Sequence, residues 1–122
     1  MNCHGAAQAL LDIDGDRVDL NALNIRDACK VVMPFRQFQS VDALKSTLAD
    51  HASEVPLIMG VGFSKSDWTD HSAVFLGFDE RGEGVIFQKD NLGLNHPWNL
   101  FSLTDWYQRY GEARIVLRTK AM

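Results

Sequence analysis

From Pro56 onward the chain consists of short apolar runs broken by glycine and polar turns, and this punctuation constrains the fold more than any other feature. The run PLIMGVGFS, with Gly60 and Gly62, reads as a buried strand. A polar loop, SKSDWTD, leads into HSAVFLGFD, and ERGEG then turns the chain into GVIFQKDN. Two β-rich runs joined by a short glycine-containing turn predict a hairpin. Pairing Asp79 with Gly84 across that turn sets Ala73 opposite Asp90 and His71 opposite Leu92. SLTDWYQRYG then reads as a short helix ended by Gly111, and ARIVLRT as a closing strand.

Before Pro56 the period changes. Cys3, Ala6, Ala7, Leu10 and Leu11 form the apolar stripe of a helix over residues 3–11, stopped by the DIDGD stretch Asp12–Asp16. Ile25, Ala28, Cys29 and Val32 repeat the pattern over residues 24–33, and Pro34 ends that segment. A third helix is expected over residues 41–53, with Ser40 as N-cap and Leu44, Leu48 and Ala52 on one face. Helices first, then an antiparallel sheet of residues 56–63, 71–79, 84–90 and 113–119, make an α+β arrangement. The 122 residues are read as one domain, 1–122.

Composition bears on function mainly by exclusion. Apolar residues make up 46% and charged residues 23%, as in ordinary globular chains. The net charge of -4, with dispersed acidic residues, offers no basic stripe for nucleic acid. No apolar run approaches the ~20 residues of a membrane span. The N-terminus MNCHGAAQALLDIDGD has no basic region or long apolar core of a signal peptide. The expected location is cytoplasmic on synthesis, or outside by a signal-peptide-independent route. Cys3 and Cys29 are too few for a disulfide scaffold or a cysteine zinc site, although one bridge between them stays open. Asp12, Asp14 and Asp16 do not make a calcium loop, because Arg17 and Leu23 stand where an EF-hand needs Gly and Glu. No metal or cofactor is expected.

Three residues stand out chemically. Cys3 lies in the first turn of a helix, where unpaired main-chain N–H groups and the helix dipole favour a thiolate. Taken alone, a cysteine on an apolar stripe is more often a small core residue. His71 opens a strand just after a loop, so it is a base held rigidly at the strand end, and its pKa suits a thiol partner. In the register above, His71 and Asp90 are diagonal neighbours on one face of the hairpin, close enough for Asp90 to orient the ring. Gln88, on the same face, and Asn91, on the other, are alternatives for that role. Cys29 reads as core and His51 as surface. His4 points away from the Cys3 face of the helix. Trp106, Tyr107 and Tyr110 should pack their helix on the sheet, while Trp68 and Trp98 lie in loops beside the site.

The stretch His71-Ser72-Ala73-Val74, then Gly77, then Gln88-Lys89-Asp90-Asn91-Leu92-Gly93, resembles the His-Ala-Val…Gly…Lys-Asn-Ser-Trp-Gly block of papain-like cysteine peptidases. Asp90 falls where that family has its Asn, as in bacterial branches such as the double-glycine leader peptidases and secreted effector proteases. Asn2-Cys3-His4-Gly5-Ala6-Ala7 is similar to their nucleophile helix and to the Asp-Cys-Ser-Gly of NlpC-type cell-wall peptidases. The resemblance implies a papain-like fold, with an N-terminal nucleophile helix packed on an antiparallel sheet. It also implies a Cys3–His71–Asp90 triad that hydrolyses peptide or isopeptide bonds of a peptide or protein substrate through an acyl-enzyme. A glutamine deamidase or acyl-transferase toxin would use the same three residues, and an inactive binding module would keep the fold alone. The family's upstream glutamine has no counterpart before Cys3, which leaves Asn2 as the candidate second donor to the oxyanion.

Overall fold

A computed structural model describes residues 3–10, 29–63, 69–89 and 98–120. The elements in order are helix α1 (Cys3–Leu10), strand β1 (Cys29–Gln37), helix α2 (Val41–Asp50), a 3₁₀ turn (Ala52–Glu54), strands β2 (Leu57–Gly62), β3 (His71–Phe78), β4 (Gly84–Lys89) and β5 (Trp98–Ser102), helix α3 (Leu103–Tyr110) and strand β6 (Arg114–Lys120). The six strands form one antiparallel sheet in the order β1-β6-β2-β3-β4-β5. The fold is α+β. Among the described residues no helix is long and apolar enough to cross a membrane.

Strand alternation divides the molecule into three layers. Leu57, Met59, Ala73, Phe75, Ile86 and Leu117 point to one face and meet Leu44 and Leu48 of α2 and Leu103 and Trp106 of α3. Ile58 and Val74 point to the other face and meet Ala7 of α1 and Cys29. Leu44, Leu48 and Trp106 are fully buried, and each such side chain contributes about 1.5–3 kcal/mol relative to exposure. Both long-face helices start on a serine cap: Ser40 Oγ accepts from the Ala43 amide and Ser102 Oγ from the Asp105 amide, each at 3.1 Å. Gly111, the C-cap of α3, is glycine for a spatial reason. Its backbone is ordinary (φ −65°), but a Cβ there would lie 2.5 Å from the Tyr107 ring.

The expected papain-like fold is corrected by the structure. The N-terminal segment carrying Cys29 is a strand and not part of a nucleophile-bearing helical layer. Residues 29–33 therefore do not continue a helix, and 24–28 lie outside the described residues. Val31, Val32 and Phe35 favour extended backbone. Pro34, which would stop a helix, is admissible in β1 because β1 is an edge strand. Its pairing with β6 is also irregular, with register shifts on either side of Met33. The first of these, between Val31 and Met33, lets Cys29 face the α1 layer while Met33 enters the main core. The Trp98 segment, expected to be loop, is strand β5, paired to β4 from Lys89–Trp98 to Val85–Ser102.

The β3–β4 hairpin forms, but with a different register from the one expected. Phe78, not Asp79, pairs with Gly84, and the ladder then shifts between Phe75 and Gly77. Gly77 has φ +117°, a conformation that costs glycine little and other residues much. With Leu76 as the extra residue, Val74 pairs with Phe87. Two single-residue offsets add to a two-residue shift, which keeps every side chain on its face. Continuing this register sets Gln88, rather than Asp90, opposite Ala73 and diagonal to His71.

Candidate active site

His71 is the first residue of β3, and alternation aims it at the α3 face alongside Ala73 and Phe75. The residue is 8% exposed, and its ring stacks on Tyr110, with centroids 4.9 Å apart and planes 13° apart. His71 Nε2 lies 2.8 Å from Gln88 Oε1. The same oxygen accepts the indole N–H of Trp106 at 2.9 Å, and Gln88 Nε2 lies 3.4 Å from the Tyr110 hydroxyl.

This geometry fixes a proton. Trp106 can only donate, so the Gln88 amide must present its oxygen, not its nitrogen, to the indole. An amide oxygen can only accept, so the hydrogen in the His71–Gln88 bond is on Nε2. In the neutral ring Nδ1 therefore carries the lone pair and is the basic atom. Gln88 is 1% exposed and Trp106 0%, so the bonds are sheltered from water. The helix positions two parts of this network together, because Trp106 and Tyr110 are four residues apart and share one face of α3.

Cys3 begins α1, which packs chiefly on β3 and then on β4. The side chain is half-buried, and burial pushes the thiol above its ordinary value, partly offset by the nearby main-chain groups of Ser72, His4 and Cys3 itself. The next residue, His4, ties the helix down: its Nδ1 is 2.7 Å from the hydroxyl of Ser72, which is fully buried. Burial lowers the His4 pKa to about 4, helped by nearby His71 and opposed by Asp70. His4 is thus neutral at physiological pH, and it serves as an anchor although the helical spacing pointed it away from Cys3.

The structure therefore brings His71 and Gln88 into direct contact and sets Cys3 against the main chain of Ser72, one residue along the strand from His71. Ser72 faces α1 while His71 faces α3. Among the described residues no hydrogen bond joins the thiol to the His71 ring, whose Nε2 meets Gln88 Oε1 instead. Asp90, Asn91, Asn2 and Trp68 lie outside the described residues. The position diagonal to His71 that the expected register gave to Asp90 belongs to Gln88. Trp106 and Tyr110 were expected only to pack their helix. Their polar roles follow from a general requirement, that a buried indole N–H or phenol O–H finds a partner.

Cys29 is 8% exposed in the apolar cluster behind α1, and burial raises its pKa to about 11 despite the neighbouring Arg118. Both cysteines are free thiols. Asp70 closes the mouth of the loop before His71, accepting from the Phe63 amide at 2.9 Å while its own amide donates to Val61 O at 2.7 Å. Comparison of the chain with protein-family models, with curated proteins and with solved structures gives no match in any of the three.

Proposed function

We propose that the chain is a cysteine-dependent amide hydrolase in which Cys3 is the nucleophile and His71 the general base. The observation that carries this reading is the His71–Gln88–Trp106 network, which makes Nδ1 of a buried histidine basic, one residue from the main chain against which the thiol rests. Gln88 takes the orienting role expected of Asp90.

The resting thiol is held neutral by burial, so no standing thiolate–imidazolium pair is needed. As Cys3 Sγ attacks the substrate carbonyl carbon, its proton passes to His71 Nδ1. The tetrahedral intermediate expels the amine, which takes that proton, and leaves a thioester. Water then gives a proton to Nδ1 and its hydroxyl to the acyl carbon, and Sγ departs and recovers the proton. Reaching this geometry requires the thiol to turn from the Ser72 main chain towards the end of β3. Catalytic contacts are commonly looser before substrate binds.

The experiment is hydrolysis of a mixed peptide library by wild type, Cys3→Ala and His71→Ala, with new amines and ammonia measured separately. New amines lost in both variants support a peptidase, and ammonia alone supports a deamidase. Turnover retained in Cys3→Ala excludes both. A second reading, a binding module without catalysis, is favoured by one observation: the thiol is half-buried with a raised pKa, and among the described residues no hydrogen bond joins it to His71. Wild-type protein that turns over nothing supports it.

A further inference from the structure

On the α3 side of His71 the surface opens into a recess of about 320 Å³, lined by Phe63, Arg109, Tyr110, Glu112 and Ala113. Its size lies at the lower end of ligand pockets, suited to one side chain rather than a whole ligand. Tyr110 belongs both to this recess and to the site, because its ring stacks on His71. An occupant would thus lie one aromatic ring away from the base.

The lining specifies the occupant. Phe63 is 62% exposed, an uncommon state for a large aromatic ring, and its centroid is 6.4 Å from that of Tyr110. The exposed Phe63 face, beside the Tyr110 ring and its hydroxyl, attracts a cation. Glu112, an exposed acidic residue, also lines the recess. Among the described residues its main-chain oxygen accepts from Gln37 Nε2 at 2.9 Å and its carboxylate has no ion-pair partner. The cation in the wall, Arg109, holds its guanidinium over the Phe101 ring of β5 at 5.1 Å. Aromatic faces beside an available carboxylate match a guanidinium or ammonium on an apolar stem.

We infer that this recess is a subsite for an arginine or lysine side chain of the substrate, with its stem against Phe63 and Tyr110 and its charged head at Glu112. The inference rests on the hydrolase reading for its place in catalysis, but binding can be measured without turnover. Cys3→Ala protein is titrated with the acetylated methylamides of arginine, lysine, phenylalanine and glycine, following the amide resonances of Phe63, Tyr110 and Ala113 by NMR. Arginine and lysine should move these resonances at lower concentration than phenylalanine or glycine. Glu112→Gln should weaken arginine binding about two- to fivefold, and Phe63→Ala by a similar factor. Both side chains are exposed, so neither change threatens the fold, and added salt should weaken arginine but not phenylalanine. Equal or tighter binding of phenylalanine, or arginine binding unchanged in Glu112→Gln, overturns the subsite. Selective binding without any wild-type turnover leaves the subsite standing and overturns the hydrolase. Turnover without selective binding does the reverse.

Discussion

Trp106 and Gln88 meet through one hydrogen bond of 2.9 Å, and that bond decides which nitrogen of His71 carries the hydrogen. The indole holds the amide oxygen in place, the oxygen holds the Nε2 hydrogen, and Nδ1 is left basic. Changing the charge of the acceptor should therefore retune the histidine without dismantling the network.

Gln88→Glu keeps an oxygen for both N–H donors and adds a negative charge 2.8 Å from the ring. A carboxylate at that distance favours the imidazolium, so the His71 pKa should rise by about 1–3 units. In the proposed mechanism His71 must be neutral to accept the thiol proton, so the acidic limb of any activity profile should move to higher pH by the same amount. NMR titration of the ring reads the shift even without a substrate. An unchanged His71 titration would mean that Gln88 does not set the state of the ring.

His4 gives the fold a specific acid sensitivity. Its pKa is about 4 in the folded chain and near 6.5 unfolded, so between those values the unfolded chain binds a proton that the folded chain refuses. The contribution is complete above about 6.5 and is lost as pH falls towards about 4. Thermal unfolding from neutral to acid pH should show this loss in wild type and a shallower loss in His4→Gln, which cannot titrate there. The same slope in both proteins would assign the sensitivity to other groups.

How much of this was readable from sequence differs by element. The Ser40 cap and the Leu44/Leu48 face of α2, the apolar β2 run and the serine-started α3 are each set by local chemistry, and sequence shows local chemistry. Strand β1 was misread because Ile25, Ala28, Cys29 and Val32 happen to recur at helical spacing. Pro34 fits the end of a helix as well as an irregular edge strand. Strand β5 is too short to carry a period, and its pairing with β4 is a tertiary fact. In the site, His71 was placed at the start of its strand, but the orienting residue depended on register. One glycine at φ +117° and a hairpin closed one residue earlier moved Gln88 into the diagonal position. A bulge at Gly77 leaves no mark in hydrophobic alternation that a regular strand would lack.

Cys29→Ser should separate structure from chemistry. The thiol is buried against Ile58, Val74 and Ala7, and a hydroxyl without a partner there costs about 1–3 kcal/mol. A lowered melting temperature with unchanged turnover per folded molecule is expected, read by calorimetry and the library assay. Loss of turnover in a folded Cys29→Ser protein would move the nucleophile to β1.

The coupling of Cys3 to His71 can be measured most directly by alkylation, which needs no substrate. Wild type and His71→Ala are treated with iodoacetamide near neutral pH, and labelling of Cys3 and Cys29 is followed over time by peptide mass spectrometry. If His71 Nδ1 takes the thiol proton as Sγ turns to attack the reagent, the half-buried Cys3 should label ahead of the buried Cys29 in wild type, and His71→Ala should slow Cys3 by about tenfold or more. Equal Cys3 rates in the two folded proteins would contradict the pairing of this thiol with this base.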